Sequence, residues 1–279
     1  MKVKLLAMLA VVSVLLCANR AVAAETNTTA TTELQTLISK VKAKLAAGTQ
    51  TEANLAPELK EFDALLAKHK GEKTDDVAEI LGMKAQLYLE VLNDNIEGAV
   101  QPLKQLKQDF PATKRGQWAA QLLPEVERTV EAAKIRRSLV LGAKFPNFNE
   151  NDSTGKPLSL TNYTGKVVLL DFWATWCMPC ILELPSLLKA YEAHHAQGFE
   201  IIGISLDDNA QRFTSVIKAK NLPWPQHFDG LGTQNKLAVK YGVIKVPTNY
   251  LLDREGIIIG IDLRGEETEQ AVAKALAKK

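Results

Sequence analysis

Residues 167–180 read VVLLDFWATWCMPC and decide the fold of this part of the chain. Six of the seven residues 167–173 are apolar, and such a run predicts a strand buried on both faces of a sheet. A helix is predicted to follow, from about Met178 to Ala196. Cys177 is therefore expected where a strand ends and a helix begins, with Cys180 about one turn further on.

The spacing of Cys177 and Cys180 fits thiol–disulfide exchange. This reaction needs an attacking thiolate and a second thiol close enough to resolve the mixed disulfide. At a helix start, the Cys177 sulfur faces unpaired backbone N–H groups and the positive end of the helix dipole, which favour the thiolate. Cys180 lies on the same helix face and is the predicted resolving thiol. Pro179 in the first turn costs no helical hydrogen bond.

Other roles explain the pair less well. A structural bridge across two residues closes too small a loop to stabilise the fold much. A zinc site needs four ligands, yet the chain has one cysteine pair, and His194 and His195 are adjacent rather than spaced. Haem attachment needs His directly after Cys180, where Ile181 stands. We therefore predict a redox pair, with neither a metal nor a cofactor.

Beyond residue 138 strands alternate with helices. Further strands are predicted at 199–206, 248–252 and 257–261, and further helices at about 209–220, 233–241 and 266–279. This order implies a mixed central sheet covered by helices on both faces. The C-terminal domain, residues 138–279, is thus predicted to be α/β.

Before this boundary the chain is predicted to be entirely helical. Apolar residues recur at helical spacing from residue 33 to about 137 and predict five or six helices in hairpins. Residues 85–120 weakly resemble a tetratricopeptide hairpin, and a family-specific helical bundle is the alternative. We assign residues 25–137 to this helical domain. Residues 25–32 are polar and are expected to be flexible.

The first 24 residues resemble a secretory signal peptide. Lys2 and Lys4 precede an apolar run, residues 5–17, and small residues predict cleavage after Ala23 or Ala24. The run is short for a membrane span, and a retained anchor is the alternative. The protein is thus expected outside the cytoplasm, in the periplasm if the source is Gram-negative. Of the three cysteines, only Cys177 and Cys180 remain after this cleavage. They are then expected in a compartment where disulfides persist.

The charge balance excludes a nucleic-acid footprint. The chain has 34 Lys and Arg against 32 Asp and Glu, and the predicted leader holds three of the basic residues and no acid. The remaining 31 basic and 32 acidic residues nearly cancel. We therefore expect neither nucleic-acid binding nor strong attraction to a charged membrane surface.

Three motifs carry a resemblance to a known family: FWATWCMPC at 172–180, ELP at 183–185 and GVIKVPT at 242–248. Residues 142–279 resemble the exported thioredoxin-like reductases of the TlpA/ResA type. The resemblance implies a thioredoxin fold, a reversible Cys177–Cys180 disulfide, and a cis Pro247 beside it. The Val246 backbone is then expected to bind an extended peptide. The candidate substrate-binding residues are Trp176, Met178, Pro179, Val246 and Pro247.

Two carboxyl groups complete the predicted site. Burial of Asp171 would raise its pKa and cost stability. Resemblance to thioredoxin implies that Asp171 exchanges a proton with Cys180, whereas a partly exposed strand-end Asp is the alternative. Glu183 resembles the Glu that tunes the thiols in ResA-like proteins, and a solvated helix Glu is the alternative.

The leading hypothesis is a reductant of disulfides in exported proteins, itself reduced by a membrane thiol relay. An oxidant is the main alternative, because direction depends on how well each redox state is stabilised. A thiol peroxidase is a further alternative. The peroxidase-like pattern has Thr three residues before the reactive Cys, whereas this chain has Ala174 at that position. A copper-delivery protein is another alternative. The pattern of such proteins has two cysteines separated by three residues, whereas two residues separate Cys177 and Cys180. A protein partner of the helical domain is a further expectation.

Overall fold

The computed structural model describes residues 29–48 and 50–278, so the predicted leader lies outside the described residues. The chain forms two compact units that divide between Val130 and Glu131. This division falls inside one helix, Lys114–Arg136, whereas the sequence pattern changes where that helix ends. Within the described ranges, no helix combines the length and apolarity needed to cross a membrane.

The first unit is helical, as predicted. Its helices are α1 Thr29–Ala46, α2 Glu52–Lys68, α3 Asp75–Glu90, α4 Val100–Asp109 and the first part of α5 Lys114–Arg136, with a 3₁₀ helix at Asn93–Ala99. Thr51 and Thr74 cap α2 and α3, since each hydroxyl accepts a hydrogen bond from the backbone N–H three residues later. The prediction of a flexible segment is wrong for residues 29–32, because α1 begins at Thr29 and buries Ala30.

The second unit is built on seven strands. They are β1 Asn149–Asn151, β2 Pro157–Ser159, β3 Val167–Trp173, β4 Phe199–Ser205, β5 Gln226–His227, β6 Thr248–Leu252 and β7 Ile258–Ile261. The first two form an antiparallel hairpin, and the other five form one sheet in the order β5-β4-β3-β6-β7. β3 and β5 run parallel to β4, β6 is antiparallel to β3, and β7 is antiparallel to β6.

Helices cover both faces of this sheet. They are α6 Met178–His194, α7 Ala210–Lys220, α8 Lys236–Lys240 and α9 Glu266–Ala277. Neighbouring strand residues point to opposite faces. Phe172 meets Tyr241 at the end of α8, and Trp173 meets Phe213 of α7, both at a ring distance of 6.3 Å. This mixed, doubly covered sheet confirms the predicted thioredoxin fold.

The predicted elements agree with the structure to within a few residues, and β3 and β6 agree to the residue. The β1–β2 hairpin and β5 were not predicted. Each strand has only two or three residues, too few to establish an alternating pattern, and Pro225 directly precedes β5.

The strand register places the predicted site at one edge of the sheet. Thr248, the first residue of β6, pairs with Phe172 near the end of β3. Because these strands are antiparallel, the chain leaving β3 and the chain entering β6 lie at the same edge. Cys177 follows the first and Pro247 precedes the second.

Candidate active site

Cys177 and Cys180 form a disulfide at the start of α6. Cys177 is the N-cap residue, and its sulfur accepts a hydrogen bond of 3.2 Å from the backbone N–H of Cys180. The sulfur therefore lies at the positive end of the helix, where a thiolate formed on reduction is stabilised. The structure thus confirms the predicted pairing and helix-start position, and it represents the oxidised form.

Exposed apolar residues surround the disulfide. Trp176, Met178 and Leu182 are 49%, 65% and 70% exposed, whereas Cys177 and Cys180 are 5% and 2% exposed. Pro179 is also exposed. Trp176, Met178 and Pro179 are therefore open to a partner, which agrees with their predicted role in substrate binding without testing it. Trp173 is buried in the core, and its indole N–H donates to Gln226 at 3.0 Å.

The loop before Cys177 is held by the end of β4. The buried Asp207 carboxylate accepts the Thr175 backbone N–H at 3.0 and 3.2 Å and the Thr175 hydroxyl at 2.6 Å. It also accepts the Ser205 hydroxyl at 2.8 Å. The Trp176 indole N–H donates to the Leu206 carbonyl at 3.3 Å. The Thr175 hydroxyl is thus engaged in fixing the loop.

Asp207→Ala is expected to destabilise the protein and slow disulfide exchange. The change leaves the two Thr175 donors and the Ser205 hydroxyl without their acceptor in a buried place, which costs about 3 kcal/mol. The rate falls about tenfold, because the loop no longer holds Cys177 in position. Urea denaturation and exchange with a model disulfide measure the two effects. The exposed Asp208→Ala is the matched control, and equal stability of both variants would contradict this role.

Asp171 is buried in the middle of the sheet. It is 5% exposed and pairs with Gly203 of β4 and Asn249 of β6, so the alternative of an exposed strand-end Asp is wrong. Burial raises the pKa of Asp171 from 3.8 to about 7, with Arg264 opposing the rise and Glu183 adding to it. A carboxyl group with this pKa can both take and give a proton near neutral pH.

Glu183 is bound to the backbone rather than solvated. This half-buried residue lies on α6, and its carboxylate accepts the Gly265 N–H at 2.9 Å, at the N-cap of α9. The alternative of a freely solvated side chain is therefore wrong. The tuning of the thiols by Glu183 stays a prediction, supported by its influence on the pKa of Asp171.

The Val246–Pro247 peptide bond is cis, as the resemblance implies. The segment leading to it is anchored at Gly242, whose φ is +63° and whose carbonyl accepts a 3.2 Å hydrogen bond from Arg136. A Cβ atom at Gly242 would lie 2.4 Å from the Ala132 carbonyl oxygen, so a larger residue cannot fit. Val246 and Pro247 are partly exposed, in keeping with their predicted role in peptide binding.

Two contributors were missed by the sequence analysis. Asp207 carried a signal, because polar residues that follow neighbouring parallel strands meet at one edge of a sheet. Arg264 carried none, because nothing near it in sequence indicates that it binds the Pro247 carbonyl. Among the described residues, no group of three or more His, Cys, Asp or Glu side chains is placed to hold a metal ion.

Comparison with known proteins relates the C-terminal half of the chain to redox enzymes. Residues 141–261 match the AhpC/TSA family. Thiol-disulfide oxidoreductase ResA of Bacillus thuringiensis subsp. konkukian is 34% identical over 138 residues, which are 50% of this chain and 78% of that protein. ResA of Bacillus subtilis is 30% identical over 137 residues, 49% of this chain and 74% of that protein. The crystal structure of the thioredoxin domain of a thiol-disulfide oxidoreductase from Bacteroides vulgatus is 33% identical, covers 49% of this chain and 98% of that chain, and has a TM-score of 0.46.

Proposed function

Since the chain belongs to the family of the ResA thiol-disulfide oxidoreductases, we propose that it reduces disulfide bonds in exported proteins and is itself re-reduced by a membrane thiol relay. The thiol–disulfide oxidoreductase activity follows from the family and from the Cys177–Cys180 pair. The reducing direction, the compartment and the partners are the proposal.

The charges around the cysteine pair support the reducing direction. A dithiol is a strong oxidant when its reduced form is well stabilised and a reductant when it is not. Met178 and Pro179, between the cysteines, carry no charge, and Pro179 brings no N–H group to the first turn. Glu183, three residues after Cys180 on α6, brings a carboxylate rather than a cation to this end of the helix and opposes a further negative charge. The uncharged residues between the cysteines, followed by an acidic rather than a basic residue, are the observation that carries the proposal.

The proposed cycle moves two electrons and balances its protons. The Cys177 thiolate attacks one sulfur of a substrate disulfide, forms a mixed disulfide and releases the other substrate sulfur as a thiolate. Asp171 takes the Cys180 proton, and the Cys180 thiolate then attacks the Cys177 sulfur. The second substrate thiolate leaves, and the disulfide seen in the structure forms. A dithiol of the membrane relay reduces this bond again and becomes a disulfide itself. Asp171 returns its proton to Cys180, and the two protons that the relay dithiol loses balance the two that the substrate thiolates take up from water.

The proposed location is outside the cytoplasm. Residues 1–24 carry the features of a secretory leader, and the only cysteines in the remaining sequence are Cys177 and Cys180. A pair that alternates between dithiol and disulfide finds disulfide substrates in an oxidising compartment. The relay is then needed to supply electrons across the membrane.

Trapping with Cys180→Ala tests this function. Without the resolving thiol, the mixed disulfide on Cys177 persists, and we expect to recover exported proteins with cysteine pairs from the native compartment. The reduction potential of the unmodified protein is expected nearer to the roughly −270 mV of thioredoxin than to the roughly −120 mV of strong dithiol oxidants. A potential near the latter value, or capture of an oxidising relay protein alone, would make the protein an oxidant.

A further inference from the structure

The turn between β7 and α9 presents one arginine in a constrained backbone. Asp262 and Gly265 both have positive φ angles, 54° and 52°, and Arg264 lies between them. Such φ values are uncommon outside glycine, and Asp is among the residues that adopt them most readily. The backbone direction on both sides of Arg264 is therefore unusual and closely defined.

Neighbouring elements hold this turn on two sides. The Asn249 side chain of β6 donates to the Leu263 carbonyl at 2.9 Å and accepts the Leu263 N–H at 3.0 Å. The Glu183 carboxylate of α6 accepts the Gly265 N–H at 2.9 Å. Arg264 thus stands between two fixed backbone positions.

The Arg264 guanidinium binds the cis-proline segment. One terminal nitrogen donates to the Pro247 carbonyl at 2.6 Å, and the other donates to the Leu263 carbonyl at 2.7 Å. The Asp262 carboxylate is further away, at 3.7 Å. The side chain is 34% exposed, so most of it is covered. A guanidinium can hold two carbonyls in a fixed direction, which a lysine ammonium does less well.

The turn that carries Arg264 is joined to the neighbourhood of Asp171 through β6, because Asn249 pairs with Asp171 in the sheet and binds both backbone groups of Leu263, the residue before Arg264. The residues that pair with Asp171 on the two neighbouring strands, Gly203 and Asn249, are uncharged. The charged groups that influence it are Glu183 from α6 and Arg264 from the turn, and Arg264 favours the ionised carboxylate. An arginine stays charged at all physiological pH values, so this effect is constant.

We propose that Arg264 is a positioning residue of the redox site, whose guanidinium holds the Pro247 carbonyl at the peptide-binding edge and sets a positive charge against the buried Asp171 carboxylate. Through Pro247 it fixes the strand-like segment that includes Val246. Through Asp171 it keeps the proton acceptor of Cys180 able to ionise near neutral pH. The second effect rests on the proton-transfer role of Asp171 in the proposed function.

Two substitutions separate these effects. Arg264→Gln removes the charge, and we expect the titration midpoint of the Asp171 carboxyl to rise by about one pH unit. Arg264→Lys keeps the charge but loses the simultaneous hydrogen bonds to the Pro247 and Leu263 carbonyls. The titration midpoint of Asp171 then changes little, while KM for a disulfide peptide rises several-fold. The midpoint is read from the ¹³C NMR signal of Asp171 in the oxidised protein, where no cysteine thiol titrates.

Arg254→Gln is the matched control. Arg254 also donates to backbone carbonyls, those of Leu276 and Lys278 at the end of α9, and is not among the groups that influence the pKa of Asp171. Its loss is expected to leave the midpoint unchanged. The proposal is overturned if Arg264→Gln titrates like the unmodified protein, or if Arg264→Lys leaves KM unaltered. The midpoint does not depend on redox direction, so it remains informative even if the protein proves to be an oxidant.

Discussion

Cys177→Ser reduces thiol–disulfide exchange to the uncatalysed rate. The serine hydroxyl is almost fully protonated at neutral pH and cannot form the mixed disulfide, whereas the Cys177 sulfur lies at the helix start that stabilises its anion. Turnover of a fluorescent disulfide peptide in the presence of excess dithiol measures the loss.

Cys180→Ser is the matched control for this prediction. It has the same substitution three residues later but retains the attacking thiol, so without added dithiol it forms one mixed disulfide per molecule and then stops. Mass spectrometry after mixing with the peptide is expected to show an adduct on Cys180→Ser and none on Cys177→Ser. An adduct on Cys180 in the Cys177→Ser variant, together with retained turnover, would exchange the two roles.

Asp171→Asn is expected to stabilise the protein above neutral pH. The folded state raises the pKa of Asp171 from 3.8 to about 7, so it favours the protonated carboxyl. The stabilising contribution of this preference is complete below pH 3.8 and is lost as the pH rises to about 7. At about 1.4 kcal/mol for each tenfold change in proton affinity, the cost of ionisation approaches about 4 kcal/mol at pH 8. Asparagine is neutral and avoids this cost.

The same variant is expected to resolve mixed disulfides about a hundredfold more slowly at pH 7, because the amide cannot take the Cys180 proton. Hydrogen exchange of the β3 amides at pH 4 and pH 8 measures stability, and stopped-flow kinetics measure resolution. Asp208→Asn, at an exposed position, is the control for both. If Asp171→Asn is no more stable than the unmodified protein at pH 8, the buried carboxyl does not carry the inferred cost.

The sequence predicts the parts of the fold that depend on local pattern. β3 and β6 are buried runs with clear ends, and the Cys177–Cys180 spacing defines a helix start that the structure confirms. The position of Asp171 inside an apolar run indicates its burial and raised pKa. These features can be predicted because the spacing of apolar residues and the start of a helix depend on a few neighbouring residues.

Individual contacts between distant segments are not predicted from local sequence patterns, even where, as for Asp207, the strand order indicates the edge of the sheet at which a residue lies. The residues that Asp207 and Arg264 bind, Thr175 and Pro247, lie 32 and 17 positions away in the chain. No periodicity links such pairs, because their approach is set by how strands and turns assemble. Glu183 illustrates the same limit: the sequence identifies a candidate for tuning the thiols, but its bond to Gly265, 82 residues away, becomes visible only in the folded unit.

The attachment of the Thr175 loop to β4 has a consequence for the order of assembly. The loop precedes Cys177, yet its acceptor, Asp207, lies at the end of a strand that the ribosome makes later. A nascent or translocating chain that ends at α6 already contains both thiols but lacks Asp207, which fixes the loop before Cys177. Selective reactivity therefore arises only after residues 199–207 have joined the sheet, and a chain stalled earlier presents two unguided thiols.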